Sequence, residues 1–170
     1  MAALQHLPLN NLKAVTPATV TWQSPSNIAI VKYWGKYGNQ YPKNPSLSFT
    51  LSKAVTQTTI TCTPRNPQPD VPVSAAFTFH GQPNEKFAAK ICRYLESVAA
   101  SFPFLRVAHL QIDSSNSFPH SSGIASSASG MSALALCLCS LQIHFQPNSE
   151  LHNPDMFLQT ASHFARLGSG

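Results

Sequence analysis

The amino-acid sequence predicts an α+β domain in which helices pack on one mostly antiparallel sheet. Three observations predict this class. Several short runs alternate apolar and polar side chains, which is the period of a half-buried strand. Helical patterns follow these runs and interleave only with the last strand. The chain has 170 residues, of which 43% are hydrophobic, and this is enough for one domain with a real core.

Most of the strands are predicted in the first two thirds of the sequence. Residues 1–17 read as a loosely held arm, and the domain is expected to occupy residues 18–170. Two Thr-rich runs, at 46–52 and 55–63, alternate and lie close together, which favours a β-hairpin. Four prolines within 64–72 indicate a loop. The expected strands are 19–24, 27–34, 46–52, 55–63, 75–81 and 108–115.

Three helices are predicted from periodicity and start signals. Residues 84–100 carry apolar side chains at helical spacing, with charged side chains between them. Residues 126–143 are apolar nearly all round, so this helix should be buried. Asn153, Pro154 and Asp155 give a capping side chain, a proline in the first turn and an acid behind it, which together start a helix. That last helix is expected to run to about Leu167.

Charge and composition restrict the possible partners. Charged residues make up 10% of the chain, against roughly a quarter in a typical soluble protein. The formal net charge is +5 and the basic residues are scattered, which disfavours nucleic acid and suits an anionic small molecule. The N-terminus lacks the apolar core of a signal peptide, and the apolar run 133–139 is far shorter than the ~20 residues of a membrane span. We therefore expect no nucleic-acid or membrane partner and a cytoplasmic location.

The four cysteines do not have the spacing of a metal site. They form no Cys-x-x-Cys pair, and the seven histidines are dispersed. We interpret the cysteines as reduced, mostly buried thiols. They are Cys62, Cys92, Cys137 and Cys139.

The segment SFPHSSGIASSASG, residues 117–130, has the composition either of a linker or of a phosphate-binding loop. Ten of its fourteen residues are Ser, Ala or Gly. It joins the strand at 108–115 directly to the buried helix at 126–143, whereas a linker should separate two folded units. The first N–H groups of a helix lack internal partners, and with the helix dipole they favour an anion. The loop therefore predicts phosphate binding, with hydroxyls for phosphate or Mg²⁺ from Ser121, Ser122, Ser126 and Ser127.

Known phosphate-loop motifs separate the possible classes. The segment does not match G-x-x-x-x-G-K-[ST], which disfavours a Walker-type NTPase. PHSSGIASSASG resembles the P-x-x-x-G-[LI]-x-S-S-A loop of the GHMP kinase superfamily. SPSNIAIVKYWGK, at 24–36, resembles the first motif of the diphosphomevalonate decarboxylases within that superfamily. ARLGSG, at 165–170, is similar to the start of that family's R-x-G-S-G-S-A-C-R segment.

The resemblance implies both a fold and a reaction. The fold would be the GHMP N-terminal domain, with its ribosomal-protein-like βα arrangement. The family uses ATP and Mg²⁺ to phosphorylate the tertiary hydroxyl of 5-diphosphomevalonate. Loss of phosphate and carbon dioxide then yields isopentenyl diphosphate, in the mevalonate pathway of isoprenoid synthesis. The sequences of these motifs are closest to those of a bacterial branch of the family. The resemblance also implies a homodimer, which relatives of full length form.

Site residues also follow from the resemblance. Tyr33 and Lys36 match positions that hold the substrate diphosphate, and Lys32 matches a lysine near the transferring phosphoryl group. Asn27 and Ser169 match polar positions of the substrate site. The positions expected to contact ATP are Asn116, Ser122, Gly123, Ala125, Ser126 and Ser127.

Three of these assignments carry a further role or an alternative. Ser127 is expected to act in catalysis with Lys32, and either Ser126 or Ser127 to lie near Mg²⁺. Asn27 could equally form a strand-entry turn, and Asn116 could cap a turn. Trp34 is interpreted as a packing wall beneath the site.

The sequence departs from the family in length. Family members are about twice as long, and their catalytic aspartate belongs to the C-terminal half. None of the six acids here occupies a family catalytic position. We therefore expect an N-terminal part of a longer enzyme, with the C-terminal domain absent and a companion half required. Alone, the chain should bind phosphates weakly and lack turnover.

Two other functions remain open from the sequence. The first is a GHMP small-molecule kinase, or a decarboxylase that acts on mevalonate or its monophosphate. KYWGK argues against a kinase, because a kinase needs no second anion-binding lysine there. The second is a non-catalytic phosphate-loop binding module, which the missing aspartate favours.

Overall fold

A computed structural model describes residues 14–68, 70–119 and 123–169. Its helices are α1 (Glu85–Val98), α2 (Ser126–Phe145) and α3 (Pro154–Ser169), with short 3-10 helices at Pro103–Arg106 and Glu150–His152. Its strands are β1 (Ala18–Val31), β2 (Lys36–Tyr37), β3 (Tyr41–Pro42), β4 (Leu47–Pro64), β5 (Ser74–Phe79), β6 (Gln82–Pro83) and β7 (Ala108–Asn116).

The predicted α+β architecture is confirmed. Five strands form one sheet in the order β1–β4–β7–β5–β6, and β2 and β3 form a separate two-stranded hairpin. Strand β4 pairs antiparallel with both β1 and β7. Strand β5 pairs parallel with β7, because α1 lies between them in the chain and parallel neighbours need such a crossover.

The predicted hairpin of 46–52 and 55–63 is wrong, because both runs belong to the single strand β4. Both halves of β4 pair with β1, and the register shifts where Pro25 faces Val55 and Ser26 faces Leu51. This irregularity takes up the residues between the two runs without reversing the chain. The intervening residues, Lys53 and Ala54, lack the Gly, Asn or Asp that a tight hairpin turn requires.

The first two predicted strands also merge, into β1. Pro25 lies inside β1, which is possible because β1 is an edge strand and a proline there removes no essential ladder bond. The strand ends at Val31, so the predicted extension to residue 34 is wrong.

Helix α1 has the predicted position and its predicted buried stripe. The side chain of Asn84 caps it by accepting a hydrogen bond of 3.1 Å from the backbone N–H of Phe87. The helix packs mainly against β5. Its buried residues recur at helical spacing and are Ile91, Tyr94, Leu95 and Val98.

Helix α2 is the central core element, as its apolar composition predicts. It packs against β1, β4 and α3. Within the described residues it is the one helix that is long and apolar enough to cross a membrane, and most of it is buried inside this domain, as a core helix would be.

The sheet has one apolar and one polar face. Side chains of Ile60, Cys62 and Leu110 are fully buried on the face that carries the helices. On the other face, hydroxyl pairs link β1 to β4, with Thr21 Oγ1 2.8 Å from Thr59 Oγ1. The alternation explains why the Thr-rich runs are strands, since threonine suits an exposed, pleated surface.

Candidate functional site

The loop that precedes α2 enters the helix through two left-handed residues. Gly123 has φ 77° and Ala125 has φ 53°. This conformation is easy for glycine and unusual for alanine. Ala125 is the cap position of α2, no side chain caps the helix, and its first turn carries no acid. The N-terminus therefore keeps the N–H donors and the positive dipole end that suit an anion.

A network of short polar side chains fixes the first turn of α2 to the sheet. Thr56 Oγ1 lies 2.6 Å from Ser129 Oγ and donates a 2.9 Å bond to Asn116 Oδ1. Ser129 Oγ also lies 3.2 Å from the carbonyl oxygen of Ser126. Ser26 of β1 donates to the carbonyl oxygen of Ile124. The network joins the strand end at Asn116, the described part of the loop and the helix into one hydrogen-bonded corner.

A lysine that the sequence patterns did not indicate reaches this corner. Lys90 Nζ, on α1, donates a hydrogen bond of 3.4 Å to Ser127 Oγ. Lys90 lies on the exposed side of the helix, so its sequence context is that of an ordinary solvated lysine. Only the tertiary fold, in which α1 packs on β5, brings its charge to the helix N-terminus.

An apolar pocket opens beside the same helix end. The space within it, counting the open mouth, is about 460 Å³. Its walls combine aromatic and aliphatic side chains with a few hydroxyls, and the rings of Phe77 and Phe87 stack at 5.7 Å. The residues lining it include Phe79, Ile91, Asn116, Ser126, Ser127 and Met131.

The KYWGK segment lies in the connection that follows β1 and in the β2–β3 hairpin. Asn44 holds this connection, because its Oδ1 accepts a 2.6 Å bond from the backbone N–H of Trp34. Lys36 Nζ lies 5.7 Å from the centre of the Tyr33 ring. The interpretation of Trp34 as a packing wall is wrong for this structure, because 86% of that residue is exposed.

The structure therefore brings the predicted residues together in two groups. Asn116, Ser126 and Ser127 line the pocket at α2, and Tyr33 and Lys36 meet at the other segment. Lys32 follows the end of β1 and is exposed, and its carbonyl oxygen lies 3.4 Å from Asn44 Nδ2.

The other predicted positions lie outside these two groups. Asn27 is exposed within β1, opposite Thr50. Ser169 is the half-buried last residue of α3. Ser122 lies outside the described residues, as does Ser121.

The acid nearest to the phosphate loop has a structural role. Asp113 Oδ1 accepts a bond of 2.5 Å from Thr78 Oγ1 and one of 3.2 Å from the backbone N–H of Gly81. Across residues 14–68, 70–119 and 123–169, no three His, Cys, Asp or Glu side chains cluster as a metal site would require. The four cysteines are free thiols, as expected.

The corner formed by β7, the loop and α2, within an α+β domain, defines an N-terminal domain of the GHMP kinase class. The family model described as the diphosphomevalonate decarboxylase-like N-terminal domain matches residues 24–170. The chain belongs to this family.

Curated relatives and solved structures agree with this membership. Diphosphomevalonate decarboxylases of Aspergillus fumigatus and Saccharomyces cerevisiae are 34% and 33% identical to the chain, over 93% and 92% of it and 39% of each relative. The mevalonate diphosphate decarboxylase structure from Staphylococcus aureus has a TM-score of 0.65 and 27% identity, covering 88% of this chain and 43% of that one. The chain thus spans about two fifths of the length of these relatives. The expected resemblance to a bacterial branch of the family stays a prediction.

One related structure was solved with ligands. It has a TM-score of 0.61 and 29% identity, covers 87% of this chain and 43% of that one, and is described as a complex with MVAPP, AMPPCP and magnesium.

Proposed function

We propose that this chain is the nucleotide- and substrate-binding part of an ATP-dependent decarboxylase that converts 5-diphosphomevalonate into isopentenyl diphosphate. The observation that carries the proposal is the uncapped N-terminus of α2, with serine hydroxyls and Lys90 around it and an aromatic pocket beside it. Relatives with this chain's fold carry that activity in their names. Since the chain spans two fifths of their length, the activity belongs to the longer protein.

The ATP side of the proposed site uses the loop and the pocket. Backbone N–H groups around Gly123 and Ala125, with the hydroxyls of Ser126 and Ser127, would bind the phosphates. The apolar pocket beside the helix offers aromatic walls for a purine base. Mg²⁺ prefers oxygen ligands and keeps substrate phosphates in its shell, so Ser126 or Ser127 suits it without a carboxylate cluster. Bound there, the ion would neutralise charge on the phosphates.

The substrate side uses the KYWGK segment. The Lys36 ammonium and the Tyr33 hydroxyl are expected to bind the 5-diphosphate, a dense anion that a point charge and a phenol donor both suit. Lys32 is expected near the phosphoryl group in transfer, where a fixed cation stabilises developing negative charge. Ser169 is assigned to the carboxylate end of the substrate, and Asn27 is assigned to the substrate site without a particular end.

The reaction explains why two cationic groups are needed. The 3-hydroxyl oxygen bonds to the γ-phosphorus of ATP as the bond to ADP breaks, and a base takes the hydroxyl proton. Phosphate then leaves with the electron pair of its bond to C3. The bond between C2 and the carboxylate carbon then breaks, its electrons form the double bond between C2 and C3, and carbon dioxide departs. Lys32 and Lys36 counter the negative charge of the two phosphate groups through these steps.

The proton acceptor is expected from a companion half of the protein. Asp113 is already bonded to Thr78 and Gly81, so it is not free to act as the base. The companion would correspond to the remaining three fifths of the relatives, with residues 18–170 as the N-terminal domain. A homodimer and a cytoplasmic location belong to the same proposal.

The companion also has a surface on which to pack. Beyond the β1–β4 register shift, Ile28, Ile30, Leu47 and Phe49 are 45–61% exposed. We assign this apolar arm, Ile28–Val31 with Leu47–Leu51, to the companion half, because the relatives contain more than twice the length of this chain.

The test is release of labelled carbon dioxide from carboxyl-labelled 5-diphosphomevalonate with ATP and Mg²⁺. The native protein should release it, and a sample restricted to residues 1–170 should not. Release of ADP without carbon dioxide would instead indicate a kinase of the same superfamily. Comparison of mevalonate, its 5-phosphate and its 5-diphosphate identifies the phosphorylation state that is used.

A further inference from the structure

The last turn of α3 contacts the β2–β3 hairpin through one arginine. Arg166 Nη1 donates to the carbonyl oxygen of Asn39, in the hairpin turn. Its Cζ lies 4.3 Å from the centre of the Tyr41 ring, well within the range of a cation–π contact. The guanidinium therefore holds both the turn and one strand of the hairpin.

The other side of the guanidinium is fixed as well. Arg166 Nη2 lies 3.2 Å from His163 Nδ1, one helical turn earlier. Burial, followed by the charge of Arg166, lowers the pKa of His163 below its ordinary value of 6.5. The ring is therefore neutral at neutral pH, and its Nδ1 accepts the bond. Three contacts in three directions leave the arginine little freedom.

The hairpin needs such an anchor. Each of its strands has two residues, and an isolated hairpin is marginally stable even when longer. Its chain passes through three positive-φ residues, Gly35, Gly38 and Gln40. Internal support includes the 3.1 Å bond from the Lys43 N–H to the Gly35 carbonyl oxygen and the Tyr37–Tyr41 ring contact at 5.8 Å.

We propose that Arg166 is a positioning residue for diphosphate binding. Arg166 fixes the hairpin, and the hairpin fixes the position of Lys36. The backbone of Lys36 pairs with that of Pro42 across the two strands, so the place of its ammonium depends on the hairpin. Arg166 acts through Asn39 and Tyr41 and does not itself touch the ligand. This inference rests on the proposed role of Lys36 in binding the diphosphate.

The choice of arginine over lysine agrees with this role. A planar guanidinium can stack on a ring and donate from two edges at once, whereas an ammonium cannot. Arg166→Lys keeps the charge and loses the geometry, so it should behave like Arg166→Ala. A full rescue by lysine would mean that charge alone matters, and would overturn the proposal.

The first measurement is hydrogen exchange on the native protein, including any companion half. Arg166→Ala should raise amide exchange in residues 35–43 about tenfold or more, while exchange in β4 and β7 stays unchanged. Arg93→Ala, an exposed arginine on α1, is the matched control and should change neither. Unchanged exchange in the hairpin of Arg166→Ala would overturn the proposal without any use of substrate.

The second measurement is a double-mutant cycle with inorganic pyrophosphate as the ligand. Arg166→Ala should weaken pyrophosphate binding about tenfold when Lys36 is present. In a Lys36→Ala background it should have almost no further effect. An equal tenfold loss in both backgrounds would mean that Arg166 acts on the ligand directly, and would overturn the inference. Turnover of 5-diphosphomevalonate by the wild type is measured separately, so failure of the proposed reaction stays distinguishable.

Discussion

Thr56 Oγ1 in the middle of the sheet lies 2.6 Å from Ser129 Oγ in the first turn of α2. Both side chains are buried. Because Thr56 also bonds Asn116 at the end of β7, one hydroxyl sets the distance between the strand end and the helix N-terminus. The geometry of the candidate phosphate site thus depends on a residue of β4 that lies in none of the sequence motifs.

Thr56→Val should destabilise the domain and loosen the phosphate site. The substitution keeps the shape but removes the hydroxyl that the half-buried Asn116 Oδ1 and the buried Ser129 Oγ share. The expected cost is about 1–3 kcal/mol in the free energy of unfolding, measured by urea denaturation. Thr56→Ser retains the hydroxyl and should recover the part of the free energy of unfolding that depends on these hydrogen bonds. If valine and serine had equal effects, the hydrogen bonds would not be the cause.

Gly168→Ala should also destabilise the protein, although alanine favours helices. A Cβ at Gly168 would overlap Cε at the flexible end of Met131, which can turn away, but it would also lie 3.1 Å from Cδ2 and Cε2 of the buried Tyr94 ring, which must then shift. Overpacking of this kind costs about 1–3 kcal/mol, against roughly 1 kcal/mol gained in helix propensity. Thermal unfolding should show a lower midpoint for Gly168→Ala. In a Met131→Leu background the loss should be smaller, and a raised midpoint in the wild-type background would contradict the packing argument.

The sequence predicted those elements whose signals are local. The amphipathic pattern of α1 and the apolar composition of α2 each correspond to a helix that forms where expected. The predicted hairpin at 46–63 failed because both runs had the right period, and period alone does not say whether two strands are separate. That question was decided by the absence of a turn sequence between them and by pairing with β1.

Long-range contacts at the candidate site could not be predicted in the same way. Lys90 and Ser127 are 37 positions apart, and Arg166 and Asn39 are 127 apart. No periodicity or motif joins such pairs, because they meet only when α1 packs on β5 and when α3 reaches the hairpin. The serine-rich loop was recognisable because its chemistry is contained within one short segment.

Three buried cysteines should be unreactive in the native protein. Burial raises the pKa of the Cys62 thiol to about 11 and that of Cys139 to about 12. Burial also raises the pKa of Cys137 to about 12, although a backbone hydrogen bond from Trp22 opposes it. Since the thiolate is the reactive form, a chromogenic disulfide reagent at pH 8 should label none of the three within minutes. In denaturant all four cysteines of the chain should react. Rapid native labelling of Cys137 or Cys139 would mean that α2 is not a core helix.

The apolar arm defined above should be covered in the native protein. Register places Phe49 opposite Ile28, and Thr50 opposite Asn27 on the other face of the same strands. The face with Phe49 is apolar, and it continues the face on which Ser26 bonds the loop before α2. An alternation of this kind indicates one covered and one solvated face.

Phe49→Asp should therefore lower the thermal midpoint of the native protein, because it places a charge in a buried interface. The expected loss is about 2 kcal/mol or more, the value of burying one large apolar side chain. Thr50→Asp, one residue away on the polar face, is the matched control and should have little effect. Hydroxyl-radical footprinting of the wild type supplies the second readout, and Phe49 should be protected although 61% of it is exposed in this domain. Equal midpoints for the two aspartate variants, together with full labelling of Phe49, would leave the arm without a companion and contradict its assignment as an interface.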